Sequence, residues 1–228
     1  MRESQAVGPI FRYMLAVLFL SVAVAPLPAT PMGESQSDFA VAGIHIGDTP
    51  AQVREALSGL GYKIIKVTKF DSYQKRLLDA RNLELRRAPT AATSLDVGSY
   101  SALLNDQRIY VRFDDNDSGT RVVAYVRYET SYKARPFPVV GKKLVERYGE
   151  PNAADATGAV WCIGGKQRGC GIGGNDGVWL KIGHDYLAFN GNAELTVIEL
   201  HAGRDAERRW AAAYRADIAR LLRSKDGF

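Results

Sequence analysis

Hydrophobic and polar residues change rhythm several times along this chain, and each change marks an expected element. Residues 39–46 (FAVAGIHI) alternate as a strand does. Thr49, Pro50 and Gln52 follow: a good N-cap, a proline suited to the first helical position, and a glutamine where a capping box needs it. Val53, Ala56, Leu57 and Leu60 then recur at helical spacing, and Gly59 and Gly61 end the helix. Residues 62–70 (YKIIKVTKF) have the β-branched richness of a strand. Asp71 to Gln74 repeats the capping signature, and helical spacing continues through Tyr73, Leu77, Leu78 and Leu85. Residues 88–99 (APTAATSLDVGS) read as loop.

The clearest hairpin comes next. Residues 108–113 and 120–128 alternate strictly around the turn sequence DDNDSG. Residues 140–148 read as a helix closed by Gly149, with Pro151 behind it. Three short β-segments are expected at 159–163, 178–182 and 195–200, separated by glycine-rich turns. A last helix starts at Asp205, with Trp210, Tyr214, Ile218, Leu221 and Leu222 on one side and six arginines around the rest. Helices interspersed with antiparallel-type strands predict an α+β fold: an antiparallel sheet with helices packed on one face. The order also suits two helix-plus-strands repeats, residues 39–132 and 133–228, within a single domain spanning 39–228.

The first segment changes the picture. Arg2 and Arg12 precede an apolar run over residues 14–25 (MLAVLFLSVAVA). That run is shorter than the ~20 residues of a membrane span but suits the core of a secretory signal peptide. Small residues follow, and cleavage after Ala29 is expected, with residues 30–38 as a polar lead-in. The mature chain is then periplasmic or secreted, with no transmembrane span. Export gives the two cysteines, Cys162 and Cys170, a compartment in which to pair, and a structural disulfide is expected. A redox pair usually has C-x-x-C spacing, and a metal site would need further ligands nearby. The formal net charge of +5 is mild; it does not indicate a nucleic-acid binder, and it suits anionic lipid or glycan equally well.

Motifs for chemistry are weak. Asp114, Asn116, Ser118 and Gly119 fall at calcium-loop positions, but the twelfth position is Tyr125 in a strand, and the same residues make a good hairpin turn. The glycines of residues 169–177 lie between β-segments, not between a strand and a helix as in a dinucleotide loop. His45, His184 and His201 have no metal-ligand spacing. No catalytic residue, metal or cofactor is expected from these patterns.

A resemblance can be placed on two segments. Residues 43–62 (GIHIGDTPAQVREALSGLGY) resemble the opening motif of BamE (SmpA/OmlA)-type bacterial envelope domains. Residues 144–151 (LVERYGEP) look like the helix end of a second copy, as in two-repeat, BLIP-like secreted domains. The chain departs from the family at Asp48, where the family has Met, and it has no lipidated cysteine. The resemblance implies helices on an antiparallel sheet and binding to another protein, without assigning any residue a role.

The hairpin supplies the candidate surface. A symmetric six-residue turn would set Val111 against Val122 and Ile109 against Ala124 on the buried side. The other side would carry Arg108, Tyr110 and Arg112 with Arg121, Tyr125 and Arg127, and Arg112 would oppose Arg121. Like charges directly opposite destabilise a sheet, so an anion or a partner's carboxylate is expected there. Carboxylates of the chain itself, Glu129 or Glu146, would also serve. The sequence therefore points to a non-catalytic binding or assembly domain of the bacterial envelope or secreted space. The alternative is a hydrolase acting on envelope material, its site built from scattered carboxylates or His184.

Overall fold

The computed structural model of the protein describes residues 39–91, 93–163, 170, 176–187 and 193–224. The expected signal segment and lead-in, residues 1–38, lie outside the described residues, as does most of the glycine-rich stretch 169–177.

The first helix, α1 (Pro50–Gly59), starts on the expected capping box: the Thr49 N–H donates to Gln52 Oε1 at 2.8 Å and the Gln52 N–H to Thr49 Oγ1 at 3.5 Å. Its Val53 and Leu57 are fully buried. Residues 39–46 do not form the expected strand. Ala42 and Gly43 both have positive φ, so the segment folds back into a turn closed by Val41 and Ile44. Its apolar side chains still reach the core: Phe39, Val41 and Ile44 are buried.

Next come β1 (Lys63–Asp71) and α2 (Tyr73–Glu84). The α2 cap is Ser72, because Asp71 is still paired in the sheet opposite Leu95. A strand, β2 (Leu95–Leu104), begins within the residues read as loop. The hairpin is β3 (Gln107–Asp115) and β4 (Arg121–Ser131). Helix α3 (Phe137–Tyr148) follows, then β5 (Ala153–Asp155), β6 (Gly158–Cys162), β7 (Trp179–Leu187), β8 (Ala193–His201) and α4 (Arg204–Arg223).

The eight strands of the described residues form one antiparallel sheet in the order β1-β2-β3-β4-β8-β7-β6-β5. The four strands of each half are thus contiguous, and the halves join where β4 pairs with β8. The protein has an α+β fold. Its main core lies on one side of the sheet, where α1 and α3 cover Tyr100, Ile109, Val111, Phe113, Leu180 and Leu200. Trp161 belongs to that core, and its indole N–H donates to the Gly149 carbonyl at 2.8 Å, tying β6 to the end of α3.

The last helix does not lay its apolar side mainly on the sheet. Among the helices it pairs with α2: the Tyr214 hydroxyl donates to the Arg76 carbonyl at 3.0 Å, and the Tyr73 hydroxyl to Asp217 at 2.7 Å. The free edge β1 carries Lys63, Lys66 and Lys69 and two register shifts, features that discourage an edge from pairing with other chains. Cys162 and Cys170 form a disulfide. No helix among the described residues is long and apolar enough to cross a membrane.

Candidate binding face

Alternation along β3 sends Ile109, Val111 and Phe113 into the core and Arg108, Tyr110 and Arg112 to the opposite side of the sheet. The expected alternation is therefore right, but the expected pairing is not. Val111 pairs with Val126, Ile109 with Tyr128, and Arg112 with Tyr125. Two causes shift the register. The strands run on through Asp114 and Asp115, residues of the expected turn, and Ala124 is an extra residue at the irregularity between Arg112 and Phe113.

Arg121 is the residue this displaces. It faces Asp115, not Arg112, and its Nε lies 3.3 Å from the Asp115 carboxylate, which Arg76 of α2 also contacts. Burial shifts the Arg121 guanidinium pKa down, and its side chain is only 11% exposed. Arg121 borders a cleft of about 510 Å³ that Arg112 and Phe70 also line. Its charge, however, is committed to Asp115. The direct opposition of Arg112 and Arg121 that called for an external anion does not occur in this register.

Five of the six expected residues do come together. Arg127 is the hub. It donates to Glu129 at 2.6 Å, to Glu199 of β8 at 2.8 Å and to Asp185 of β7 at 2.9 Å. The Tyr125 hydroxyl donates to Glu199 at 2.7 Å. The His201 imidazole, 4.0 Å away, together with Tyr125 and Arg127, holds the Glu199 carboxyl down at about 2. Burial and Glu199 push the Tyr125 hydroxyl well above the ordinary tyrosine value. Arg112 meets Asp114 at 3.3 Å and Glu207 of α4 at 3.4 Å, and Arg108 reaches Glu129 at 3.9 Å. Glu129, one of the two expected carboxylates, is thus a partner; Glu146 is not among the ion pairs of the described residues.

An aromatic row crosses the same face. Tyr110 and Tyr125 ring centres are 6.2 Å apart, Tyr125 and His201 4.5 Å, and His201 stacks on Trp179 at 3.8 Å. The row continues across the seam because Tyr125 and Trp179 both pair with His201. Trp179 is largely buried beside Val160 and the disulfide. Tyr110, Arg112, Tyr125, Arg127 and His201 remain partly exposed. The sequence does not place Glu199, His201, Asp185 or Trp179 on this face. Their alternation with Ile198, Leu200, Ile182 and Leu180 was available, but not that β8 lies beside β4.

His184 lies 4.0 Å from Glu194, with its ring 4.7 Å from Tyr132, whereas Asp185 is held by Arg127. Asp114 and Asp115 end β3, and the turn after them is organised by Asn116, whose side-chain oxygen accepts from the Ser118 and Thr120 N–H groups at 3.0 Å each. Among the described residues, no cluster of three or more His, Cys, Asp or Glu side chains could hold a metal ion. Comparison with protein-family models, with curated proteins and with solved structures finds no match.

Proposed function

We propose that this protein is an exported binding or assembly domain that docks a protein partner on the sheet face opposite α1 and α3. The observation that carries this is the row Tyr110, Tyr125 and His201, flanked by Arg112 and Arg127 and partly exposed at the middle of the sheet. Tyrosine and arginine are the residue types that most often anchor protein interfaces. The charges of this face are largely matched internally. Arg127 alone meets Glu129, Glu199 and Asp185. Such a surface offers shape and hydrogen-bonding groups at little net charge, which suits a folded partner better than a polyanion. The Cys162–Cys170 bond supports export to a periplasmic or extracellular space. The resemblance of residues 43–62 to BamE-type domains is in keeping with this reading.

The test is site-specific photo-crosslinking in the cell that makes the protein. A crosslinker at position 110 should capture a defined protein that one at Leu83, an exposed site on α2, does not. Purified, that protein should bind the chain, and Tyr125→Ala should weaken the binding. Identical capture from both positions, or unchanged affinity in the Tyr125 variant, would sink the proposal.

A further inference from the structure

A second site lies on the helical side of the sheet. A groove of about 560 Å³ opens between α3 and the turn at residues 40–42. That volume is in the range of small-molecule sites, roughly 300–1,000 Å³. Its walls are mostly apolar, with Val41, Val140, Leu144 and Ile198 among them. Two cations stand at its border, Arg135 and Lys143. Neither has a carboxylate within the 4.0 Å of an ion pair among the described residues, unlike the arginines of the opposite face.

Arg135 is held in place from two sides. Its backbone carbonyl accepts a 2.6 Å hydrogen bond from the buried Thr196, and its guanidinium donates to the Tyr128 hydroxyl at 3.1 Å. A second hydroxyl, that of Tyr62, borders the same space and donates to Gln107 at 2.7 Å. Burial raises the pKa of both tyrosines, Tyr62 to about 12, so both hydroxyls stay neutral. A preorganised guanidinium needs little further ordering to receive a charged group. A cation over apolar walls selects a molecule with an anionic head and a hydrocarbon tail.

We infer that this groove binds a free, single-chain amphipathic carboxylate, its head at Arg135 and Lys143 and its tail along Val41, Val140, Leu144 and Ile198. The site is independent of the sheet face opposite, and either can fail alone.

Laurate is the probe. Titration of the disulfide-bonded protein with laurate below its micelle concentration, followed by calorimetry and by amide NMR shifts, should give saturable binding. The shifted amides should be those of residues 139–144 and 41–42. Dodecylamine, with the same tail and the opposite charge, should not compete. Lys143→Gln, at an exposed position, should weaken binding about ten-fold, and Arg135→Gln by at least as much. Val139→Asp, also at an exposed site on the groove wall, should weaken it without altering the thermal midpoint. Absence of saturable binding would overturn the inference. So would equal binding of dodecylamine, or unchanged affinity in a folded Lys143→Gln, Arg135→Gln double variant. Vesicles of anionic phospholipid that take up the protein, while laurate does not bind, would assign the cations to a bilayer surface and overturn it as well.

Discussion

Arg112 and Tyr125 are cross-strand partners, and the guanidinium carbon of Arg112 lies 5.9 Å from the centre of the Tyr125 ring. The pair carries one positive charge over an aromatic face, and Asp114 and Glu207 complete its surroundings.

Removing that charge should therefore not stabilise the protein. An exposed cation–π contact contributes about 0.5–1 kcal/mol, and exposed ion pairs add little. Arg112→Ser should lower stability by up to about 1 kcal/mol in urea unfolding. A clear rise in the midpoint would mean that Arg112 is repelled in the native state.

Glu199 should give the fold a marked acid limb. Its folded pKa of about 2 lies below its ordinary 4.5. Protons therefore bind the unfolded chain more readily. The stabilisation is complete above about pH 4.5 and is lost as pH falls towards 2. It amounts to at most about 3 kcal/mol. Glu199→Gln should be less stable than the parent at pH 7, and the two should converge near pH 2. Parallel stability curves for parent and variant between those limits would refute this assignment.

Asp115 should be a costly carboxylate to remove. It is almost fully buried between Arg76 and Arg121, and breaking such a pair leaves uncompensated charge. Asp115→Ala should cost about 3–5 kcal/mol, far more than Arg112→Ser. Denaturant unfolding of the two variants side by side checks the order, which is the informative result.

The disulfide closes a short loop, so its contribution is moderate. Cys162→Ser should lower stability by roughly 2–3 kcal/mol. Intact mass should rise by two hydrogens on reduction of the parent and not at all in the variant. Free thiols at both positions in protein freshly isolated from its native compartment would count against export.

Local chemistry was legible in the sequence where a few residues decide it. Thr49, Pro50 and Gln52 set the start of α1, and the apolar residues and arginines of β3 sort themselves by alternation. Strand β2 was not legible, because LDVGSYSALL is rich in small residues and lacks the β-branched signature. Only its neighbours make it a strand: Tyr100 and Ala102 bury against Val111 and Ile109. The hairpin register departs from its expectation for a related reason. Asp114 and Asp115 are turn-formers in isolation, but Asp115 has two arginine partners, one on a distant helix, that make a strand position favourable. Half the candidate face comes from β7 and β8, and no local pattern reveals that β8 lies against β4.

That β4–β8 seam also bears on how the chain finds its fold. Among the described residues, the two halves share one row of strand pairs, from Tyr125 and His201 to Ser131 and Leu195. Every other ladder joins strands within its own half, most of them as hairpins that can zip up early. The seam joins residues far apart in the chain, so its loop-closure entropy comes due before its contacts reward it. Joining two preformed leaves should therefore limit the refolding rate. Truncating Val126 or Leu200 on the seam should slow refolding, while Ala159→Gly in β6 should chiefly speed unfolding. The Arg127 network spans the same seam, so the group that organises the proposed docking face is expected to form late in folding.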